Sequence, residues 1–235
     1  MLDHYFVYYL IGAIAVIVSL IAEIKVNTAF SKNDKIYSKA NVTGAKFARD
    51  ILSAAGLSDI DVVRVKGTMT DHYNHKNKVV ALSTTHDSSS LAALGVAAHE
   101  VGHALQYKEG YGAIKLRNLL IPVINFSSKV MPLLLVVGVV LSFVLQTLVV
   151  SDILIIGSVG FYSLSLILNL VTLPVEYDAS NRAKRILLET GAVDNEEIKG
   201  VDEVLSAAAL TYVAAALVSL LYLIRILLYF TKRRD

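Results

Sequence analysis

Residues 97–104 read Ala97-Ala98-His99-Glu100-Val101-Gly102-His103-Ala104. Within them His99-Glu100-Val101-Gly102-His103 has the form H-E-x-x-H. Two histidines four apart on a helix lie on one face, one turn from each other. Both imidazoles can then grip one metal ion, and the glutamate beside the first can take a proton from a water at that ion. This pattern requires a helix. Asp87 and Ser88-Ser89-Ser90 supply an N-cap before it, and Gly110 a stop after it. Small residues crowd the helix: Ala92, Ala93, Gly95, Ala97, Ala98, Gly102 and Ala104. A glycine inside a helix costs about 1 kcal/mol relative to alanine. Gly102, between the two histidines, therefore implies close approach by another backbone.

The surroundings of this helix are apolar beyond what a soluble domain needs. Of the 235 residues, 55% are hydrophobic, and the mean hydropathy is +0.58. Four runs meet the length of a membrane span: Tyr5 to Ala22, Val130 to Ser151, Ile153 to Val175, and Val204 to Phe230, the last interrupted by Arg225. The first has no Lys or Arg in its leading Met1-Leu2-Asp3-His4 and no clear small-residue cleavage site, so it reads as a retained anchor. The second and third are separated by little more than Ser151-Asp152, which makes them a tight hairpin. Leu116 to Ser128, broken by Pro122, is an approach to the second span or an extension of it.

The polar region between the first two spans has mixed character. Val42 to Ala55 reads as an amphipathic helix stopped by Gly56. Asp61 to Lys66 and Lys78 to Ser83 read as strands, with a polar loop, Asp71 to Asn77, between them. Pro174 suits the first turn of a new helix running from Val175 to Thr190 and stopping at Gly191. An acidic linker, Asp194 to Glu203, leads to the last span. The expected fold is mainly α and polytopic: four transmembrane helices, with a small α+β zincin-like region inserted between the first and second. Its parts are residues 1–26 (anchor), 27–129 (catalytic region), 130–175 (hairpin), 176–203 (third-ligand helix and linker) and 204–235 (last span and basic tail).

With no cysteine in the chain, a metal must be held by His, Asp or Glu. A catalytic zinc wants three protein ligands and one open position. Candidates for the third are His72, His75, His86, Asp87, Glu109, Glu176 and Asp178. Glu176 is preferred: its helical neighbours Ala179, Ser180 and Ala183 form a small face that can pack on the small face of the motif helix. A hairpin crosses the membrane twice, so Glu176 returns to the side on which the motif lies. Residues 23–129 carry 14 Lys/Arg and residues 174–203 carry 4. The positive-inside rule then puts the site on the cytoplasmic face of the cell membrane, although Lys232, Arg233 and Arg234 lie on the other side. Tyr5, Phe6, Tyr8 and Tyr9, with Tyr229 and Phe230, fit an aromatic belt there. The net charge of +2 comes from scattered basic residues and leaves no nucleic-acid footprint.

Four segments carry a resemblance. They are Thr70-Asp71-His72-Tyr73, Ala97 to Ala104, Leu173-Pro174-Val175-Glu176-Tyr177-Asp178-Ala179-Ser180, and Ala207-Ala208-Ala209-Leu210-Thr211-Tyr212-Val213-Ala214-Ala215. In these the chain resembles the YugP-type family of membrane zinc metallopeptidases, or neutral zinc peptidases. The resemblance implies a prokaryotic cytoplasmic-membrane protein with one zinc per chain and peptidase activity. More distantly the chain is similar to the HtpX and CAAX-protease class of gluzincins, whose third ligand is a helical glutamate. That class usually has an aspartate four residues after this glutamate, supporting a ligand histidine. Here that position is Ser180, and the acid is Asp178. The class also aligns substrate on an edge strand before the motif helix, a role that Val79 to Ser83 is placed to fill.

The expected activity is zinc-dependent endopeptidase cleavage of membrane or membrane-proximal proteins. His99, His103 and Glu176 are the ligands and Glu100 the general base. His72, Tyr73 and Arg182 are candidate oxyanion donors, and Asp178 a candidate support for a ligand. The alternative is a non-catalytic membrane scaffold with a structural or vestigial zinc site. A small transporter is a third reading, weakened by the scarcity of ionisable residues in the spans.

Overall fold

The computed structural model describes the backbone of residues 2–145 and 149–232. Among these, six helices and three strands follow in the order α1 (Leu2–Asn33), α2 (Gly44–Ala54), β1 (Asp61–Arg64), β2 (His72–Asn74), β3 (Val79–Leu82), α3 (Leu91–Glu109), α4 (Gly112–Leu145), α5 (Val149–Glu189) and α6 (Glu197–Lys232). The chain divides into two units.

One unit comprises Met1–Ile21, Lys115–Thr172 and Tyr212–Asp235. It is built from apolar helix segments that leave large side chains uncovered, among them Phe6, Tyr9, Leu119, Phe126 and Ile156. Some of its described polar groups pair across helices. The Ser165 and Ser219 hydroxyls lie 3.1 Å apart, and Asn169 Nδ2 donates to the Ser165 carbonyl at 3.0 Å. The Arg225 guanidinium sits over the Tyr8 ring, 3.9 Å from its centroid. Among the described residues, three helices are long and apolar enough to cross a membrane: Phe6–Asn33, Ile156–Glu189 and Glu197–Leu228. The fourth expected span, Val130 to Ser151, includes residues 146–148, which lie outside the described ones. The side chains of Tyr5, Tyr229 and Phe230, and residues Arg233 and Arg234 of the tail, also lie outside them.

The other unit comprises Ala22–Ile114 and Leu173–Thr211. Its axis is α3, which is buried on two sides. Ala97, Val101 and Ala104 pack with Ala45, Ala48 and Leu52 of α2 and with Val62, Val80 and Leu82 of the sheet. Leu91, Leu94 and Ala98 pack with Ala183 and Leu187 of α5 and with Val201 and Leu205 of α6. A helix enclosed this way must be small-sided, which accounts for its alanines. Ser90 is its N-cap, accepting from Ala93 N–H at 3.1 Å. Gly110, at φ 68°, is the left-handed residue that ends it.

Several expected boundaries are corrected. Ser151 and Asp152, expected to separate the second and third runs, are already helical in α5. Leu116 to Ser128 continues into the following run through Pro122 as one helix. Pro174 starts no new helix: α5 runs through it. A mid-helix proline loses a backbone hydrogen bond and clashes with the preceding turn, at about 3 kcal/mol. The next turns offset this by burying Val175, Ala179, Ala183 and Leu187, all fully enclosed, at four-residue spacing. The acidic linker is shorter than expected, because α6 begins at Glu197.

The loop from Asp71 to Asn77 contains a strand, β2, and the sheet order is β1-β3-β2. β1 lies parallel to β3, and β2 antiparallel, with Tyr73 opposite Val80. β3 is therefore the central strand and cannot accept a substrate on an edge; the edges are β1 and β2. What pins β2 there is Asp71. Its carboxylate accepts from Ser83 N–H at 2.7 Å, from Ser83 Oγ at 2.8 Å, and from Thr85 Oγ1.

Candidate metal centre

His99 and His103 project from one face of α3, their rings edge to face with centroids 4.6 Å apart. Glu176 reaches them from α5. Its Oε2 lies 3.1 Å from His99 Nε2 and 3.7 Å from His103 Nε2. One possible ligand atom from each of the three residues falls within 4.8 Å of the other two. His103 and Glu176 are buried and His99 nearly so.

Gly102 makes this approach possible. A Cβ at that position would stand 2.8 Å from the Ala179 carbonyl oxygen and 3.3 Å from the Ala179 Cα. The close backbone approach expected from the sequence is therefore that of α5, and its small face is Ala179, Ser180 and Ala183. Without the glycine the two helices would stand further apart, and Glu176 would not meet the imidazoles at this distance.

The second nitrogen of each imidazole is also engaged. His99 Nδ1 lies 3.2 Å from Ser180 Oγ, and His103 Nδ1 lies 2.9 Å from Gln106 Oε1. Zinc-binding histidines commonly hold their outward nitrogen in this way, which fixes the ring and aims the other nitrogen at the metal. Two buried imidazoles and a buried carboxylate, with Nε2 atoms converging on one oxygen, fit the donor set of a catalytic zinc. The His103 imidazolium is disfavoured by burial, but the hydrogen bond to Glu176 and the charges of Glu100 and Glu176 outweigh that, so its pKa stands above the ordinary value. Glu100 is on the same helix and is buried.

The remaining candidates are not part of this three-residue group. His72, on β2, is exposed with Nδ1 2.9 Å from the Thr70 carbonyl. Tyr73 packs edge-on against Tyr107 at 5.5 Å, and burial pushes its hydroxyl pKa up. His75 stacks on Tyr107 at 4.0 Å. His86 pairs with Asp87, which also holds Arg64 at 2.7 Å. Arg182 bridges two acids, with Nε 2.6 Å from Asp178 Oδ2 and NH1 2.7 Å from Glu109 Oε1. Asp178 meets the group at one remove, accepting from Gln106 Nε2 at 2.8 Å.

Sequence reasoning missed Gln106 and the use of Ser180. A signal existed for both. Gln106 is three residues after His103, and Ser180 is four after Glu176, so each lies on the face of its helix that carries a candidate ligand.

The family model described as "Putative neutral zinc metallopeptidase" matches residues 8–231. A curated relative named "Putative membrane protease YugP", from Bacillus subtilis (strain 168), is 44% identical over 232 residues, covering 98% of each chain. No solved structure matches the chain.

Proposed function

The chain belongs to the family of neutral zinc metallopeptidases that its sequence matches from residue 8 to residue 231, and we propose that it is a membrane-embedded endopeptidase cleaving membrane or membrane-proximal proteins. The observation that carries this reading is the convergence of His99, His103 and Glu176. These three would hold one zinc ion, which supplies Lewis acidity and makes a water molecule acidic near neutral pH. Glu100, next to the first ligand, is the general base and returns the proton to the leaving amine.

Substrate alignment is assigned to the β2 edge, His72 to Asn74, where an extended peptide can add as a further strand. Its donors for a developing oxyanion are His72 and Tyr73. Arg182, committed to Asp178 and Glu109, serves the site from behind. Four spans, with the site on the cytoplasmic side, remain the proposed topology. Lys and Arg concentrate on the two segments that form the site, and an even number of crossings between them suits their meeting in one unit.

The test is Glu100→Gln. In the purified, zinc-loaded protein the variant keeps its zinc and loses roughly 10²–10⁴-fold of casein cleavage. Wild-type turnover in the variant would refute the mechanism. Zinc binding without any turnover in the wild type would favour the scaffold reading.

A further inference from the structure

We propose that Gln106 is a positioning residue for the metal centre and that Asp178 acts on the centre through it; this rests on the zinc reading above. Gln106 is fully buried, one turn beyond His103 on α3. Its Nε2 donates to the Val175 carbonyl and to Asp178 Oδ2, both at 2.8 Å. Its Oε1 faces His103 Nδ1 at 2.9 Å.

Amide oxygen and nitrogen are usually told apart only by their partners. Here the partners decide. A carbonyl and a carboxylate can only accept. Turning the amide over would set its oxygen against both of them. Oε1 therefore faces the histidine, and His103 Nδ1 must carry a hydrogen to meet it. In the neutral imidazole that zinc requires, the lone pair is then left to Nε2, the nitrogen that faces Glu176.

The chain of contacts continues outward. Arg182 Nε donates to the same Asp178 oxygen at 2.6 Å, and its NH1 binds Glu109 Oε1 at 2.7 Å. Asp178 is thus held by a cation on one side and holds the amide on the other. A carboxylate at position 106 could not take this place, because it would face two acceptors with no proton to give. The acid of this region is kept one residue away from the ligand, and a neutral amide transmits its hold.

The test is zinc affinity, measured on the full-length chain in detergent by competition with a chromophoric chelator. Gln106→Leu is expected to weaken zinc binding roughly 10–100-fold. Asp178→Leu weakens it less. The double variant binds no worse than Gln106→Leu alone, because residues acting through one contact are not additive. Wild-type affinity in Gln106→Leu, or losses that multiply in the double variant, would overturn the proposal. A wild-type chain that takes up no zinc overturns the zinc reading itself, and this inference with it. Should Gln106→Leu fail to fold, ¹⁵N NMR of the zinc-loaded wild type decides. His103 protonated at Nδ1 and metal-bound at Nε2 is the expected result; metal at Nδ1 sinks the inference.

Discussion

The two halves of α5 behave as if made for different solvents. Before Pro174 the helix is mostly apolar, and Ile156, Ile167 and Leu170 are about half exposed or more, at 66%, 49% and 53%. After it, a stripe of Val175, Ala179, Ala183 and Leu187 is fully buried, with Ala183 and Leu187 packed among residues of α3 and α6, while Glu176, Asp178, Ser180 and Arg182 reach other polar groups. In the first half, bulk hydrophobicity suffices, since a bilayer asks only that apolar groups face it and that the backbone satisfy itself. In the second half, affinity for oil decides little. What matters is the width of side chains, because Glu176 meets two imidazoles only if the helix backbones come close.

Two glycines put this contrast to its hardest test. Gly102→Ala would force a methyl group to 2.8 Å from the Ala179 carbonyl, so the helices must part. A displacement of about 1 Å at a catalytic constellation costs on the order of 10²-fold, and casein cleavage should fall by that much, with weaker zinc binding. Gly160→Ala, in the apolar half, meets nothing within 4 Å. It should leave cleavage unchanged and the thermal melt equal or higher, since alanine is the better helix former by about 1 kcal/mol. Equal behaviour of the two variants would abolish the distinction.

Acidity gives a smaller, graded effect on the polar half alone. Because the His103 pKa is raised in the folded, metal-free chain, its protonation stabilises that form below the unfolded value. This contribution is lost as pH rises through the folded value. Zinc binding runs the opposite way, since the ligand must be neutral. As pH is lowered, zinc affinity should therefore begin to fall while still above pH 6.5, the ordinary imidazole value, and drop by about tenfold per further unit of acidification for each proton displaced. Isothermal titration at several pH values checks this. An affinity flat down to pH 6 would show that the buried histidine is not in competition with protons.

The mildest effect is expected where the apolar half carries polar groups. Ser219→Ala removes the partner of Ser165. Hydrogen bonds between membrane helices average about 0.6 kcal/mol, so unfolding in mixed micelles should shift by that order while cleavage persists. A loss of cleavage would mean that the two halves are less separate than their packing suggests.

Much of the site was legible because it obeys helix periodicity. The four-residue step joins His99 to His103, and the same step runs from Glu176 to Ser180 and from Ala179 to Ala183. Gly102 announced a close approach because nothing else justifies its cost in a helix. Two of the three strands, β1 and β3, were placed to within a residue or two from β-branched runs, while β2 was read as a loop. The strand order was not legible, because a three-residue strand such as β2 has no periodicity of its own. It exists because Asp71 ties it to Ser83 and Thr85, and that contact is long-range. Pro174 misled for a related reason. Local chemistry says that a helix starts there, and only the buried stripe that follows overrules it.

By itself the sequence determined the chemistry available: an H-E-x-x-H helix, a glutamate on a small-faced helix, no thiols, and long apolar runs. These are properties of residues and short spacings, which a linear chain carries in full. The tertiary structure alone decided which strand lies at the sheet edge, that α5 is continuous, and that an amide and a hydroxyl hold the two histidines from behind. The contacts that fix this last arrangement, Ser180 with His99 and Gln106 with Val175 and Asp178, join residues tens of positions apart, and such distances are set by the packing of α3 between its neighbours.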